Sequence, residues 1–98
     1  MIVKRKLFTK KLNLMKVEDV YVITNTGTTV FGKLNRDVKL GDKVSVSGAG
    51  NKYEISHIIT NFRDDKSKWP KSAKTGDSVG LVLKNCNERD VKRGDILD

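Results

Sequence analysis

The chain has 98 residues, enough for one small domain with a modest core, and 37% of them are hydrophobic and 33% charged. No stretch approaches the ~20 consecutive apolar residues of a membrane-spanning helix, and the single cysteine excludes an intramolecular disulfide. The 20 basic and 12 acidic residues give a net charge of +8, which favours a polyanionic partner.

The positive charge is concentrated at the N-terminus, where residues 1–16 hold six basic residues and no acidic one. No apolar run long enough for a signal peptide follows, so we expect a cytoplasmic protein with no membrane partner. A basic arm on a nearly neutral domain is typical of proteins that bind polyanions, although it can also serve solubility alone. We predict a basic arm or a first strand over residues 1–12. Its candidate RNA-binding residues are Lys4, Arg5, Lys6, Lys10 and Lys11.

From residue 17 onward, apolar residues recur with a period of two, and many are β-branched or aromatic, which predicts strands. The predicted strands cover residues 17–24, 28–34, 43–47, 53–62, 78–83 and 96–97. The turn Asn25-Thr26-Gly27 joins the first two as a hairpin. In the long strand over 53–62, a period of two predicts that one face carries Tyr53, Ile55, His57 and Ile59. The chain is therefore predicted to be all-β, as a barrel or a small sandwich.

A Gly-Asp pair precedes an apolar residue three times, within residues 40–44, 75–79 and 93–97. Glycine tolerates the left-handed backbone of a tight turn, and the aspartate side chain can accept hydrogen bonds from the amides that follow it. We therefore predict three similar turns, each of which starts a strand. The same structural role accounts for Arg93-Gly94-Asp95 without invoking the cell-adhesion tripeptide that these residues spell.

Five segments are similar to domain 2 of elongation factor Tu and its archaeal and eukaryotic relatives. LMKVEDVY at residues 14–21 resembles the family's L-M-P-[VI]-E-D-V-F, and ITNTGTTVFGKL at residues 23–34 resembles I-[ST]-G-R-G-T-V-x-x-G-R-V. VKLGDKV at residues 38–44 resembles [IL]-K-V-G-D-x-V. Residues 73–82 resemble A-x-x-G-D-N-V-G-[LF], and residues 83–97 resemble the closing [LV]-[RK]-[GN]-[IV]-x-x-x-D-[IV]-x-R-G-x-[VIL]-[LI]. Five segments in this order and spacing are a specific signal for the fold.

The resemblance covers residues 13–98 and implies a small closed, mostly antiparallel β-barrel of the elongation factor Tu domain 2 type. In the family this domain helps hold the aminoacylated end of tRNA and contacts the small ribosomal subunit, so RNA or the ribosome is the implied partner. No G-x-x-x-x-G-K-[ST] loop is present. We therefore expect a stand-alone domain with no nucleotide, no cofactor and no GTPase activity.

Two positions at which the family contacts tRNA differ in this sequence. Thr26 stands where the family has the arginine of its G-R-G-T turn, and Thr60 stands where it has the glutamate of an E-M-F-R-K run. A short hydroxyl side chain cannot replace a charged acceptor for a ribose hydroxyl. Although Phe62 and Arg63 are retained, the sequence argues against recognition of the aminoacyl end in the family's manner.

The loop over residues 63–74 is about four residues longer than in the family and contains the only proline and the only tryptophan of the chain. Its basic side chains can neutralise phosphates, and an exposed indole can stack on an unpaired base for ~1–3 kcal/mol. Alternatively, Trp69 folds back and caps the open end of the barrel. The candidate RNA-binding residues here are Arg63, Lys66, Lys68, Trp69, Lys71 and Lys74.

Cys86 and His57 are single residues of their types, which is too few for a zinc site. We predict that Cys86 is a small packed side chain and that His57 is a structural or a surface residue. A nucleophilic Cys86–His57 pair is the catalytic alternative.

We predict a non-catalytic, translation-associated module that contacts tRNA or ribosomal RNA through the basic arm and the 63–74 loop. The alternative is a protein-interaction barrel that docks on a ribosomal protein or a GTPase, and an unrecognised enzyme is a third hypothesis. RNA binding predicts an affinity that falls steeply with salt, whereas protein docking predicts a weak salt dependence.

Overall fold

The computed structural model describes residues 13–46, 51–61 and 65–98, which form strands and two short 3₁₀ helices. The strands are β1 Met15–Lys16, β2 Asp19–Ile23, β3 Gly27–Lys33, β4 Val38–Lys39, β5 Lys43–Ser45, β6 Lys52–Ile59, β7 Ser72–Ala73, β8 Ser78–Leu83 and β9 Ile96–Leu97. The 3₁₀ helices are Lys66–Lys68 and Glu88–Asp90. The all-β prediction is confirmed, whereas the predicted arm over residues 1–12 lies outside the described residues.

A five-stranded sheet, the main sheet, forms the centre of the fold in the order β2-β3-β8-β6-β5. Every pairing in it is antiparallel, and β3 and β8 are aligned from Thr28 opposite Leu83 to Lys33 opposite Ser78. The predicted hairpin is confirmed, since β2 and β3 pair across the turn after Ile23. Two antiparallel strand pairs, β1-β9 and β4-β7, complete the described strands.

Backbone hydrogen bonds connect the β1-β9 pair to both sides of the main sheet. On one side, Leu97 forms a bridge with Val46, and the N–H of Asp98 donates to the carbonyl of Ser45 at 2.9 Å. On the other side, the carbonyl of Leu14, whose own N–H donates to Leu97, accepts a hydrogen bond of 2.7 Å from the N–H of Asn35, which follows β3. The sheets thus surround one core, while closure of the barrel around its whole circumference stays a prediction.

The core is aliphatic and draws on almost every strand. Fully buried side chains from β1, β3, β6, β8 and β9 meet in one cluster that includes Met15, Val30, Ile58, Leu81 and Leu97. Strand β8 is buried from Val79 to Leu83, which agrees with its nearly continuous apolar sequence. Such a run is typical of a strand that is covered on both faces.

The prediction that Tyr53, Ile55, His57 and Ile59 share one face of a strand over residues 53–62 is wrong. Strand β6 ends at Ile59, and its register with β8 shifts between Ile55 and His57, which pair with the consecutive residues Leu83 and Val82. Such a β-bulge places one extra residue in a strand and moves the following side chains to the opposite face. Ile58 therefore joins the core.

The three Gly-Asp turns share one geometry, and each starts with lysine. The turns span residues 39–42, 74–77 and 92–95, and their glycines have φ of 91°, 94° and 92°. In each turn the aspartate carboxylate accepts a hydrogen bond of 3.0 Å from the N–H of the lysine three residues before it. The prediction that aspartate binds the following amides was therefore wrong in direction.

Each Gly-Asp turn precedes one strand and forms two hydrogen bonds to the segment of that strand's pairing partner. The glycine N–H donates to the carbonyl of a buried residue, and the N–H of that residue donates to the aspartate carbonyl, at 2.8–2.9 Å. The residues held in this way are Ile55 by the turn before β5, Leu34 by the turn before β8 and Val17 by the turn before β9. The turns therefore set the antiparallel register at the start of three strands.

Replacing Gly94 by alanine tests this turn geometry. A Cβ at this position would meet no atom within 4 Å, so the substitution changes backbone strain and little else. Because L-residues adopt this conformation at a cost of roughly 1–2 kcal/mol, we expect Gly94→Ala to lower the free energy of unfolding in urea by about that amount. The control Lys92→Ala keeps the backbone amide that Asp95 binds and should cost less than ~0.5 kcal/mol. Equal losses in the two variants would contradict the strained-glycine account.

Candidate functional site

The loop that follows β6 lies against the face of the main sheet opposite the core, called here the outer face. The ring of Trp69 meets the ring of His57 edge-on, with centroids 5.8 Å apart. Three residues before Trp69, the Lys66 ammonium donates to the carbonyl of Asn25 at 3.4 Å. Asn25 belongs to the β2–β3 turn, which lies at the opposite end of β3 from the start of β8. The loop therefore returns along the sheet.

Trp69 is half-buried, and its indole nitrogen is inaccessible to solvent. This nitrogen has no hydrogen-bond partner in the described part of the chain. The ring thus packs on the side of the sheet and leaves only part of its surface exposed. Base stacking by Trp69 stays a prediction, and it would need the exposed part of the ring.

The lysines of the loop face solvent. Lys66, Lys68, Lys71 and Lys74 are all exposed. Within the residues that the structure describes, the only ion pair joins Arg36 to Asp98 at 3.1 Å. The loop lysines are therefore not neutralised by a described carboxylate. The remaining candidates, Lys4, Arg5, Lys6, Lys10, Lys11 and Arg63, lie outside the described residues.

The contact between Lys66 and Asn25 places a positive charge beside the turn in which Thr26 stands for the family's arginine. The two residues in contact are 41 positions apart in the sequence. No local pattern of residues could have revealed this neighbourhood, because it depends on the path of the whole loop across the sheet.

A small pocket of about 170 Å³ lies on the outer face at the other end of β3 and β8. Its lining includes Glu18, Phe31, Ile59, Thr60 and Gly80. A Cβ at Gly80 would collide with the ring of Phe31, so glycine is needed for this ring to lie flat against the sheet. Thr60 thus lines a cavity next to an aromatic ring, although its own side chain is uncharged.

Sequence reasoning missed three exposed lysines that line a second basic surface. Lys43, Lys52 and Lys84 surround a groove of about 530 Å³ at the β5–β6 side of the main sheet. A sequence signal for these exposed positions was present, because Lys43 and Lys52 each stand next to an apolar or aromatic residue, Val44 or Tyr53, whose side chain is buried.

The structure does not join Cys86 and His57 as a catalytic pair. The thiol donates to the carbonyl of Asn87 at 3.5 Å, whereas the imidazole lies 3.1 Å from the hydroxyl of Ser56. Burial raises the pKa of the Cys86 thiol to about 11, so the thiol is protonated at neutral pH. Cys86 belongs to the core cluster, as predicted for a small packed side chain.

Residues 13–46, 51–61 and 65–98 hold neither a candidate metal-binding cluster nor a candidate membrane-spanning helix. These segments contain no group of three or more histidine, cysteine or carboxylate side chains that could hold a metal ion. They also contain no helix that is long and apolar enough to cross a membrane.

Comparison with known proteins places the chain in the translation context. It is 38% identical over 82 residues to elongation factor 1-alpha of Cenarchaeum symbiosum (strain A). The similarity supports an elongation factor Tu-like translation factor domain. The aligned segment covers 83% of this chain but only 18% of that relative, so the chain spans less than a fifth of the longer protein. No protein-family model matches the chain.

We expect the imidazole of His57 to titrate below the ordinary histidine value of 6.5, because burial lowers its pKa and the charge of Lys66 lowers it further. As pH falls through that value the unfolded chain binds the proton first, so the free energy of unfolding should fall until the folded imidazole is protonated as well. An NMR titration of the single histidine measures the pKa.

Lys66→Gln should move the pKa of His57 back toward 6.5, since the lysine charge is removed. Lys92→Gln changes an exposed lysine in another turn and serves as the control. A wild-type pKa at or above 6.5 would contradict the packing of this residue beneath the loop.

Proposed function

We propose that this domain is a non-catalytic RNA-binding module of the translation machinery, which contacts tRNA or ribosomal RNA through the 63–74 loop and the basic arm. The proposal places the protein in the cytoplasm. The similarity to elongation factor 1-alpha supports the translation context. The observation that carries RNA contact is the group of exposed lysines in the loop, with Lys66 beside the Asn25 turn.

The chemistry of the loop suits a phosphate backbone. Lysine is a compact point charge that binds phosphate oxygens without a fixed geometry. Because no described carboxylate pairs with the loop lysines, binding would release counterions from RNA rather than break existing ion pairs. The 3₁₀ helix Lys66–Lys68 fixes the spacing of two of these charges, which lowers the entropy lost on binding.

The pocket at Thr60 does not carry this function in our proposal. Its volume of about 170 Å³ lies below the ~300–1,000 Å³ of common ligand sites, and threonine offers no charge to a ribose hydroxyl. Contacts to phosphates along the loop therefore explain binding better than recognition of a terminal nucleotide.

We also propose that the described residues carry no catalytic centre. The Cys86 thiol is protonated at neutral pH and has no hydrogen bond to the imidazole of His57. A thiol of this kind is a poor nucleophile because the thiolate is the reactive form.

Fluorescence anisotropy with labelled tRNA, at several salt concentrations, tests the proposed function. The loop triple variant combines Lys66→Gln, Lys68→Gln and Lys71→Gln. Each lost phosphate contact lowers the slope of log affinity against log salt by roughly 0.7–0.9, so the loop triple should lose about 2–3 units of slope. Wild-type affinity for tRNA should exceed that for duplex DNA at physiological salt.

The control triple variant combines Lys16→Gln, Lys33→Gln and Lys92→Gln, which removes the same charge from exposed lysines outside the loop. Equal losses in the loop and control triples would show that net charge alone binds RNA. A protein partner that survives nuclease treatment, together with a weak salt dependence, would favour the docking alternative.

A further inference from the structure

The groove lined by Lys43, Lys52 and Lys84, called here the lysine groove, has no part in the function proposed above. Lys43 lies on β5, Lys52 begins β6, and Lys84 directly follows β8. The space between them is about 530 Å³, within the ~300–1,000 Å³ of common binding sites.

The sheet itself directs these lysines outward. Strands β5 and β6 pair with Lys43 opposite Glu54, and the alternate residues Val44 and Tyr53 point into the core. Side chains that flank a buried residue on a strand project to the other face, so Lys43 and Lys52 share the outer face with Glu54. The N–H of Lys84 donates to the carbonyl of Glu54 at 2.8 Å, which sets the third lysine beside them.

The groove carries a net positive charge. Glu54 is the single carboxylate of its lining, against three ammonium groups, and none of these lysines forms an ion pair within the described segments. The lining also includes Tyr53, together with Asn51 and Asn85, whose side-chain amides can donate to oxygen acceptors. The groove is therefore open, polar and positive, which suits phosphate rather than an apolar ligand.

The groove and the Lys66 ammonium lie at the same end of the main sheet. Thr28 pairs with Leu83, which immediately precedes Lys84, and the Asn25 turn just before Thr28 accepts the hydrogen bond from Lys66. The Lys66 ammonium and the lysine groove therefore lie at the same end of β3 and β8. One extended polyanion could contact both surfaces.

We infer that the lysine groove binds the phosphate backbone of RNA, as a second contact beside the 63–74 loop. This inference rests on the proposed function, since it takes RNA as the partner. The three lysines come from strand β5, strand β6 and the turn after β8 and line one open groove, which favours an extended chain of phosphates over a single small anion.

The experiment uses the full chain and labelled tRNA. The groove triple variant combines Lys43→Gln, Lys52→Gln and Lys84→Gln, and it is compared with the control triple of equal charge. We expect the groove triple to bind ~10-fold or more weakly at physiological salt and to lose about 2–3 units of salt slope, whereas the control triple changes little. Thermal unfolding of each variant confirms that it is folded.

A variant that makes the groove more positive tests the inference in the opposite direction. Glu54→Gln removes the carboxylate from the groove and should tighten tRNA binding by about threefold, whereas Glu18→Gln, an exposed acid elsewhere, should not. In parallel, bound tRNA should protect Lys43, Lys52 and Lys84 from acetylation, as read by mass spectrometry, more than it protects Lys16 or Lys33.

The outcomes separate this inference from the proposed function. If the wild-type chain binds tRNA and the loop triple loses binding, while the groove triple matches the control triple, the groove is overturned and the proposed function stands. If the wild-type chain does not bind tRNA at physiological salt, both fail. The inference would also be overturned if the groove triple bound tRNA as the control triple does but lost a protein partner that the wild-type chain binds.

Discussion

A Gly-Asp turn forms the same pair of hydrogen bonds with the backbone of each of three buried residues, Val17, Leu34 and Ile55. A buried backbone group without a partner costs roughly 1–3 kcal/mol, so these residues can be buried only if such partners are supplied. Each turn supplies them and then starts the strand that pairs with the residue's own strand. Strand order and register across the fold thus depend on these three turns.

A second constraint shapes the outer face of the main sheet. The bulge in β6 moves His57 opposite Val82, and Val82 is fully buried although its neighbours Leu81 and Leu83 face the core. The loop with Trp69 lies on this face, so the sheet is covered there by protein instead of solvent. The same packing that buries apolar surface holds the loop lysines in place, which links the stability of the outer face to the presentation of positive charge.

Local sequence signals were sufficient where the structure is decided by neighbours in the chain. The β2–β3 hairpin and the glycine turns follow from residues three or four positions apart, and both were predicted. The bulge was missed because a period of two was extended from Tyr53 and Ile55 to His57 and Ile59, although Ile58 and Ile59 are consecutive apolar residues. Only the pairing with β8 shows that one residue of β6 has no separate partner.

The sequence by itself determined the all-β class, the hairpin, the positions of the Gly-Asp turns and the apolar strand β8, because period, turn chemistry and β-branched composition act over a few residues. Tertiary structure decided the face on which His57 lies, the meeting of Lys66 with Asn25, and the lysine groove that we propose as an RNA contact. These features join segments that are distant in sequence, and they exist only once the strands have paired and a shared core has been buried.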